Sequence, residues 1–276
     1  MNEIVWTPKH PQNTKMGQFM LYAAEKNCQV FEGYQDLHTW SIKHPDSFWQ
    51  TLCDFFNLTF DTPPHHVLNY YESMLDARWF TGARFNFAQK LLSRRDSHTA
   101  LVSINEENKK QSISYEELYV QVAQCAAGLK AIGVTTGDRV AALMPNVPQT
   151  IIAMLATTSL GAVWSSCSPD FGAQAAIDRL GQIEPKVLFI CDGHQYQGKI
   201  HSGAEKIVQL QDAMSSLIQI VICPNIHEEI KLSKTSKALY WDDFIKPATH
   251  CDFVSLPFEH PLYILFSSGT TGKPKC

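Results

Sequence analysis

The sequence predicts an α/β fold: a mostly parallel sheet with helices on both faces, joined to an aromatic-rich N-terminal wrap. From about residue 98 onward, short apolar runs alternate with segments of helical periodicity, which is the pattern of βαβ units. The apolar runs, Val187 to Cys191 above all, are continuous rather than alternating, as strands covered on both faces are. Residues 1 to about 90 lack this rhythm and carry instead Trp6, Phe19, Tyr22, Phe31, Tyr34, Trp40, Phe48, Trp49, Phe55 and Phe56, with Trp79 and Phe80 further on, interleaved with Pro and His. Irregularly spaced aromatics of this kind cover core surface, and no site is assigned to them.

The elements follow in chain order. Thr99 to Ile104 reads as a strand. Ser114 with Glu117 forms a capping box, and Leu118, Val122, Cys125, Ala126 and Leu129 continue at helical spacing until Gly133 ends the run. Arg139 to Met144 is the next strand. Asn146 can cap a helix that tolerates Pro148 in its first turn and carries Ile151, Ile152, Leu155 and Thr158 toward Gly161. Ala162 to Ser166 is a short strand. A helix through Ile177 and Leu180 then leads past Pro185 to Val187 to Cys191, and one further helix, about Glu205 to Leu217, leads to the strand Ile218 to Ile222. The last strand, Leu262 to Phe266, is apolar at every position and is expected in the middle of the sheet.

Composition excludes several functions. The 276 residues, 45% hydrophobic, suffice for one large core or two ordinary ones. A net charge of −4 without a dense Lys/Arg cluster argues against a nucleic-acid surface or a polybasic membrane anchor. The longest apolar stretch, about Ile151 to Trp164, is too short and too rich in Thr and Ser for a membrane span. The eight cysteines show no C-x-x-C pair and no zinc-like spacing with His, so reduced thiols are expected; with no basic start followed by an apolar run, so is a cytosolic compartment. His65, His66, His194, His201 and His260 lack companions at ligand spacing, and no metal site is assigned. Asp170 and Asp178 read as capping and surface carboxylates, and no G-x-S-x-G elbow marks a nucleophilic serine.

The chemistry concentrates in Ser267-Ser-Gly-Thr-Thr-Gly-Lys-Pro-Lys275. Gly269 and Gly272 let the backbone approach oxygen atoms closely, N–H groups and the hydroxyls of Ser267, Ser268, Thr270 and Thr271 donate, and Lys273 and Lys275 offset negative charge. It is not a Walker A loop. Ser267 stands where that pattern needs its first Gly, and Pro274 follows Lys273 where it needs Ser or Thr. No glycine pair forms a G-x-G, so a dinucleotide fingerprint is absent too.

This loop resembles the phosphate-loop signature of the AMP-forming acyl-CoA synthetase, luciferase and peptide-synthetase adenylation superfamily. Trp79-Phe-x-Gly-x-Arg-x-Asn-x-Ala88, Gly161-Ala-Val-Trp-Ser-Ser-x-Ser-Pro-Asp-Phe-Gly172, Tyr196-x-Gly-Lys199 and Cys276 after Pro-Lys are similar to its acetoacetyl-CoA synthetase branch more than to the acetyl- or propionyl-CoA branch. The resemblance implies residues 1–90 as an N-terminal acyl-CoA-synthetase-type segment and 91–276 as the first part of the AMP-binding domain. It also implies an acetoacetate–CoA ligase reaction, in which a carboxylate attacks ATP to give an acyl-adenylate and pyrophosphate, and the CoA thiol then displaces AMP. By the same resemblance Ser267 to Gly272, Lys273 and Lys275 hold ATP phosphates, and Tyr196, Gly198 and Lys199 lie near CoA. The catalytic lysine, the Mg2+ ligands and the acyl pocket are expected beyond residue 276, so the chain is expected to be an N-terminal fragment without catalytic residues of its own and inactive alone. An acetyl- or short-chain acyl-CoA synthetase, or a truncated non-catalytic polypeptide that binds nucleotide or a partner, are the alternatives.

Overall fold

A computed structural model describes residues 6–69, 73–231, 236–267 and 272–276. The chain divides into two units, Met1–Phe85 and Asn86–Cys276.

The first unit contains helices α1 (Lys15–Lys26), α2 (Tyr34–Lys43) and α3 (Pro45–Phe55), followed by strands β1 (His66–Asn69), β2 (Arg78–Thr81) and β3 (Arg84–Phe85). Thr14 caps α1 by accepting from Gly17 N–H, and Pro45 opens α3 where a missing N–H costs nothing. The aromatics are this unit's core. Phe19 meets Phe48 and Phe55 edge-on at 5.8 and 5.4 Å, and Trp40 is buried beside them. β1 and β2 pair antiparallel.

The second unit begins with α4 (Phe87–Leu91), β4 (Thr99–Ile104) and β5 (Lys110–Ser114). β4 lies where the sequence places a strand, but it pairs antiparallel with β5 in a hairpin instead of opening the parallel sheet. Its turn uses Asn108 at φ 59°, a left-handed conformation that Asn tolerates. Both halves of the expected capping box are present at the start of α5 (Tyr115–Ala131).

Five strands then form an all-parallel sheet: β6 (Arg139–Leu143), β7 (Val163–Cys167), β8 (Val187–Cys191), β11 (Gln219–Cys223) and β12 (Ala238–Tyr240), in the order β12-β11-β8-β6-β7. The connecting helices are α6 (Pro148–Ser159), α7 (Ala173–Leu180) and α8 (Ala204–Ala213), and α9 (Trp241–Phe244) follows β12. Between β8 and α8 a second hairpin projects, β9 (Gly193–Tyr196) with β10 (Lys199–Ser202). Alternate residues of each strand face opposite ways. Val140, Ala142, Phe189 and Val221 join the core under α5 and α6, while Ala141, Leu143, Leu188, Ile190 and Ile222 join the core under α7 and α8. The α/β fold with helices on both faces thus stands as the sequence predicts it.

Three expectations are corrected. The N-cap of α6 is Val147, and Asn146 makes no cap hydrogen bond, because Pro148 occupies the first helical position and shifts the start by one residue. α8 ends at Ala213 rather than near Leu217. Leu262 to Phe266 is not a central buried strand. It lies beside the edge strand β7 through one parallel bridge, Trp164 with Tyr263, and its alternate residues Tyr263 and Leu265 are exposed, Leu265 by 75%. An unbroken apolar run identifies strand-like backbone, not its rank in the sheet.

Candidate functional site

The edge of β7 positions the Gly-rich loop. Trp164 N–H donates to Leu262 O at 3.1 Å and Ile264 N–H to Trp164 O at 2.9 Å, while Ser165 Oγ donates to Ile264 O at 2.8 Å. Parallel to β7 and in this register, the segment delivers Ser267 level with Ser168, just past the C-terminal end of the strand. In open α/β sheets that end is where ligands bind.

Ser267 and Lys275 are brought together. Ser267 N–H donates to Lys275 O at 2.9 Å in an antiparallel bridge, and Ser267 Oγ approaches the same carbonyl at 3.4 Å. The two ends of the nine-residue signature therefore meet, which closes it into a loop. Gly272 has φ 124°, a conformation that side chains rarely adopt. Lys273 and Lys275 are exposed. Ser268, Gly269, Thr270 and Thr271 lie outside the described residues.

Tyr196, Gly198 and Lys199 sit together on the β9–β10 hairpin. Its two turn residues, Gln197 at φ 50° and Gly198 at φ 74°, have the paired positive φ of a tight hairpin turn. Their N–H groups both donate to the carboxylate of Glu106, each at 2.9 Å. Among the described residues, no hydrogen bond or ion pair links this hairpin to Ser267 or to residues 272–276.

Tyr196 also lines a cavity of about 610 Å³ with Asp170, His194, Ile200, His201, Ser202 and Lys206. His194, only 8% exposed, meets Asp170 Oδ1 at 3.0 Å through Nε2 and stacks on His201 with ring centroids 5.1 Å apart. Burial holds the His194 imidazole below its usual value, against the pull of the Asp170 carboxylate. The Ser168 hydroxyl, more than His194, lowers the Asp170 carboxyl. Sequence reasoning leaves His194 as a surface or hydrogen-bonded histidine; the structure buries it and pairs it with Asp170 beside a cavity, which the sequence does not announce. Its partner lies 24 positions upstream in the chain, and no local spacing could reveal the pair. Among the described residues no group of three His, Cys, Asp or Glu could hold a metal ion, and no helix is long and apolar enough to cross a membrane.

The profile of the AMP-binding enzyme family matches residues 88–276, and that of the acetyl-coenzyme A synthetase N-terminus matches residues 34–90. The chain belongs to the AMP-binding enzyme family. Its similar relatives in this family include acetoacetyl-CoA synthetases of Rhizobium meliloti, 39% identical, and Macaca fascicularis, 36% identical, each matched over 99% of this chain and 42% of the relative. A malonamoyl-CoA synthetase of Penicillium aethiopicum is 37% identical over 99% of this chain and 40% of that protein. The solved acetoacetyl-CoA synthetase of Streptomyces lividans superposes with a TM-score of 0.90 at 36% identity, over 97% of this chain and 41% of the other. The chain thus spans about two fifths of the length of the family members it matches.

Proposed function

We propose that the chain forms the N-terminal part of an ATP-dependent acid–thiol ligase that converts acetoacetate, ATP and CoA to acetoacetyl-CoA, AMP and pyrophosphate through an acyl-adenylate. The observation that carries this reading is the closed loop: a Gly-, hydroxyl- and Lys-rich segment, shut at its neck by Ser267 and Lys275, at the ligand-binding end of a parallel sheet. In this reading the donors of Ser267 to Thr271 and the charges of Lys273 and Lys275 hold the β- and γ-phosphates and stabilise charge that develops on the leaving pyrophosphate, without a covalent role. Tyr196, Gly198 and Lys199 lie near the CoA nucleotide. Mg2+ accompanies ATP, with ligands outside this chain's residues, and the protein works in the cytosol, which suits eight free thiols.

Acetoacetate rests on the acetoacetyl-CoA synthetases among the relatives, and the malonamoyl-CoA synthetase at comparable identity makes the acid the part to test first. A polypeptide that carries this chain and the remaining length of its relatives should exchange labelled pyrophosphate into ATP when given acetoacetate, and acetate or malonamate should support less exchange. Equal or greater exchange with acetate moves the assignment to the acetyl-CoA branch, and no exchange with any of these acids sets the ligase reading aside.

A further inference from the structure

We propose that Gln182 is a positioning residue for the phosphate loop, holding in place the limb that carries Lys273 and Lys275. The proposal rests on the reading of that loop as an ATP-phosphate site. Among the described residues, two hydrogen-bonded ties reach the limb after Gly272: Ser267 on the Lys275 carbonyl, and the Gln182 carboxamide, whose Nε2 donates to Pro274 O at 2.9 Å. The first tie fastens the limb to Ser267, at the end of the segment that lies along β7, and so holds the limb from that side alone. The second comes from 92 residues away in sequence and gives the limb a separate attachment on the other side.

Gln182 is suited to this task because it is itself fixed. The same Nε2 donates to Asp178 O, in the last turn of α7, at 2.6 Å, so both amide hydrogens are committed and the orientation of the carboxamide is set. The turn that bears Gln182 is clamped to β6. Arg139 Nε donates to Ile183 O at 2.7 Å and its Nη2 to Glu184 O at 2.9 Å, while Glu184 adopts φ 47°. A continuous path, from Arg139 in the sheet through the turn at 181–184 to Gln182 and Pro274, transfers the rigidity of the parallel sheet to the backbone between two lysines. Groups that stabilise a transition state must be held to roughly half an ångström. A cation on a limb held from the Ser267 side alone would be free to swing about that one attachment.

The test uses the complete polypeptide carrying this chain, with Gln182→Ala and Gln182→Glu. In ATP–pyrophosphate exchange the KM for ATP should rise about 3- to 10-fold in Gln182→Ala, the range expected for one neutral hydrogen bond, and further in Gln182→Glu, which turns a carboxylate toward a carbonyl. Thioester formation from preformed acyl-adenylate and CoA should be unchanged in both, as should the melting temperature. Without nucleotide, tryptic cleavage after Lys275 should be faster in both variants than in the parent. An unaltered KM in a parent that exchanges, or equal losses in both half-reactions, overturns the proposal, and so does an unaltered cleavage rate. Faster cleavage with a parent that exchanges no pyrophosphate leaves the anchor standing and removes the ligase reading instead.

Discussion

Asn86, fully buried, ties three segments of the second unit together. Its Oδ1 accepts from Gln89 N–H at the start of α4, and its Nδ2 donates to the carbonyls of Thr158 and Ser159 at the end of α6 and of Val254, at 3.1, 3.0 and 2.9 Å. Removing it would uncap one helix and strand buried carbonyls of another. Asn86→Ala should therefore lower stability by about 2 to 4 kcal/mol, read from denaturant unfolding. Lys275 makes the opposite kind of contribution, since it is exposed and, among the described residues, bonds through its carbonyl alone. If it serves the phosphates, Lys275→Ala in the complete polypeptide should slow adenylation by about one to three powers of ten and spare thioester formation from preformed acyl-adenylate. Half-reactions measured separately decide this. The capping box at Ser114 and Glu117 is legible in the sequence because its partners are three residues apart. Asn86 stands in a quoted signature, yet its partners lie 72, 73 and 168 residues away, and nothing local announces them.

At the scale of elements, β6, β7 and β8 are legible because burial of nearly every position leaves apolar or small residues at all of them but Arg139. β5 is not. Lys110-Gln-Ser-Ile-Ser114 buries Ile113 alone, so its pairing with β4 leaves no hydrophobic pattern to read. Leu262 to Phe266 errs the other way, apolar throughout and yet on the sheet's margin. The β9–β10 hairpin is defined by its turn rather than by its strands, since β10 is exposed along its whole length. A side chain at Gly198 would meet no neighbouring atom, but φ 74° disfavours any residue with a Cβ. Gly198→Ala should thus cost about 1 kcal/mol in thermal unfolding, with no change in the surrounding packing.

Across the whole molecule the thiols report on burial. All eight cysteines are free, and only Cys28 and Cys276 are exposed. Of these eight thiols, Cys28 and Cys276 should be alkylated quickly in the folded chain and the other six only on unfolding, which peptide mass spectrometry reads site by site. Burial raises the thiols of Cys125, Cys191 and Cys223, and Cys191 is pushed up to about 11 from 9.0. A thiol whose folded value exceeds its unfolded one stabilises the fold below the unfolded value and ceases to as pH rises through the folded one. Stability should accordingly fall between pH 9 and 11, by about 3 kcal/mol through Cys191 alone, and melting curves across that range would show it. The fold class is legible at this scale; the loop is legible as a motif, while its closure needs the backbone geometry between Ser267 and Lys275 and its tie to Gln182 comes from a contact 92 residues away in sequence.

The clasp between Glu106 and the turn at Gln197 and Gly198 bears on the order of folding. Each of the two hairpins can form from neighbouring residues within microseconds, but the clasp joins positions 91 and 92 apart. Closing a loop of that length costs chain entropy that the packing of the intervening strands β6, β7 and β8 offsets, so the clasp is expected among the final events, past the transition state. Glu106→Ala should then accelerate unfolding and leave the refolding rate unchanged, as measured by the two arms of a denaturant chevron. A slower refolding arm would mean that the two hairpin tips meet early and guide the sheet's assembly from outside it.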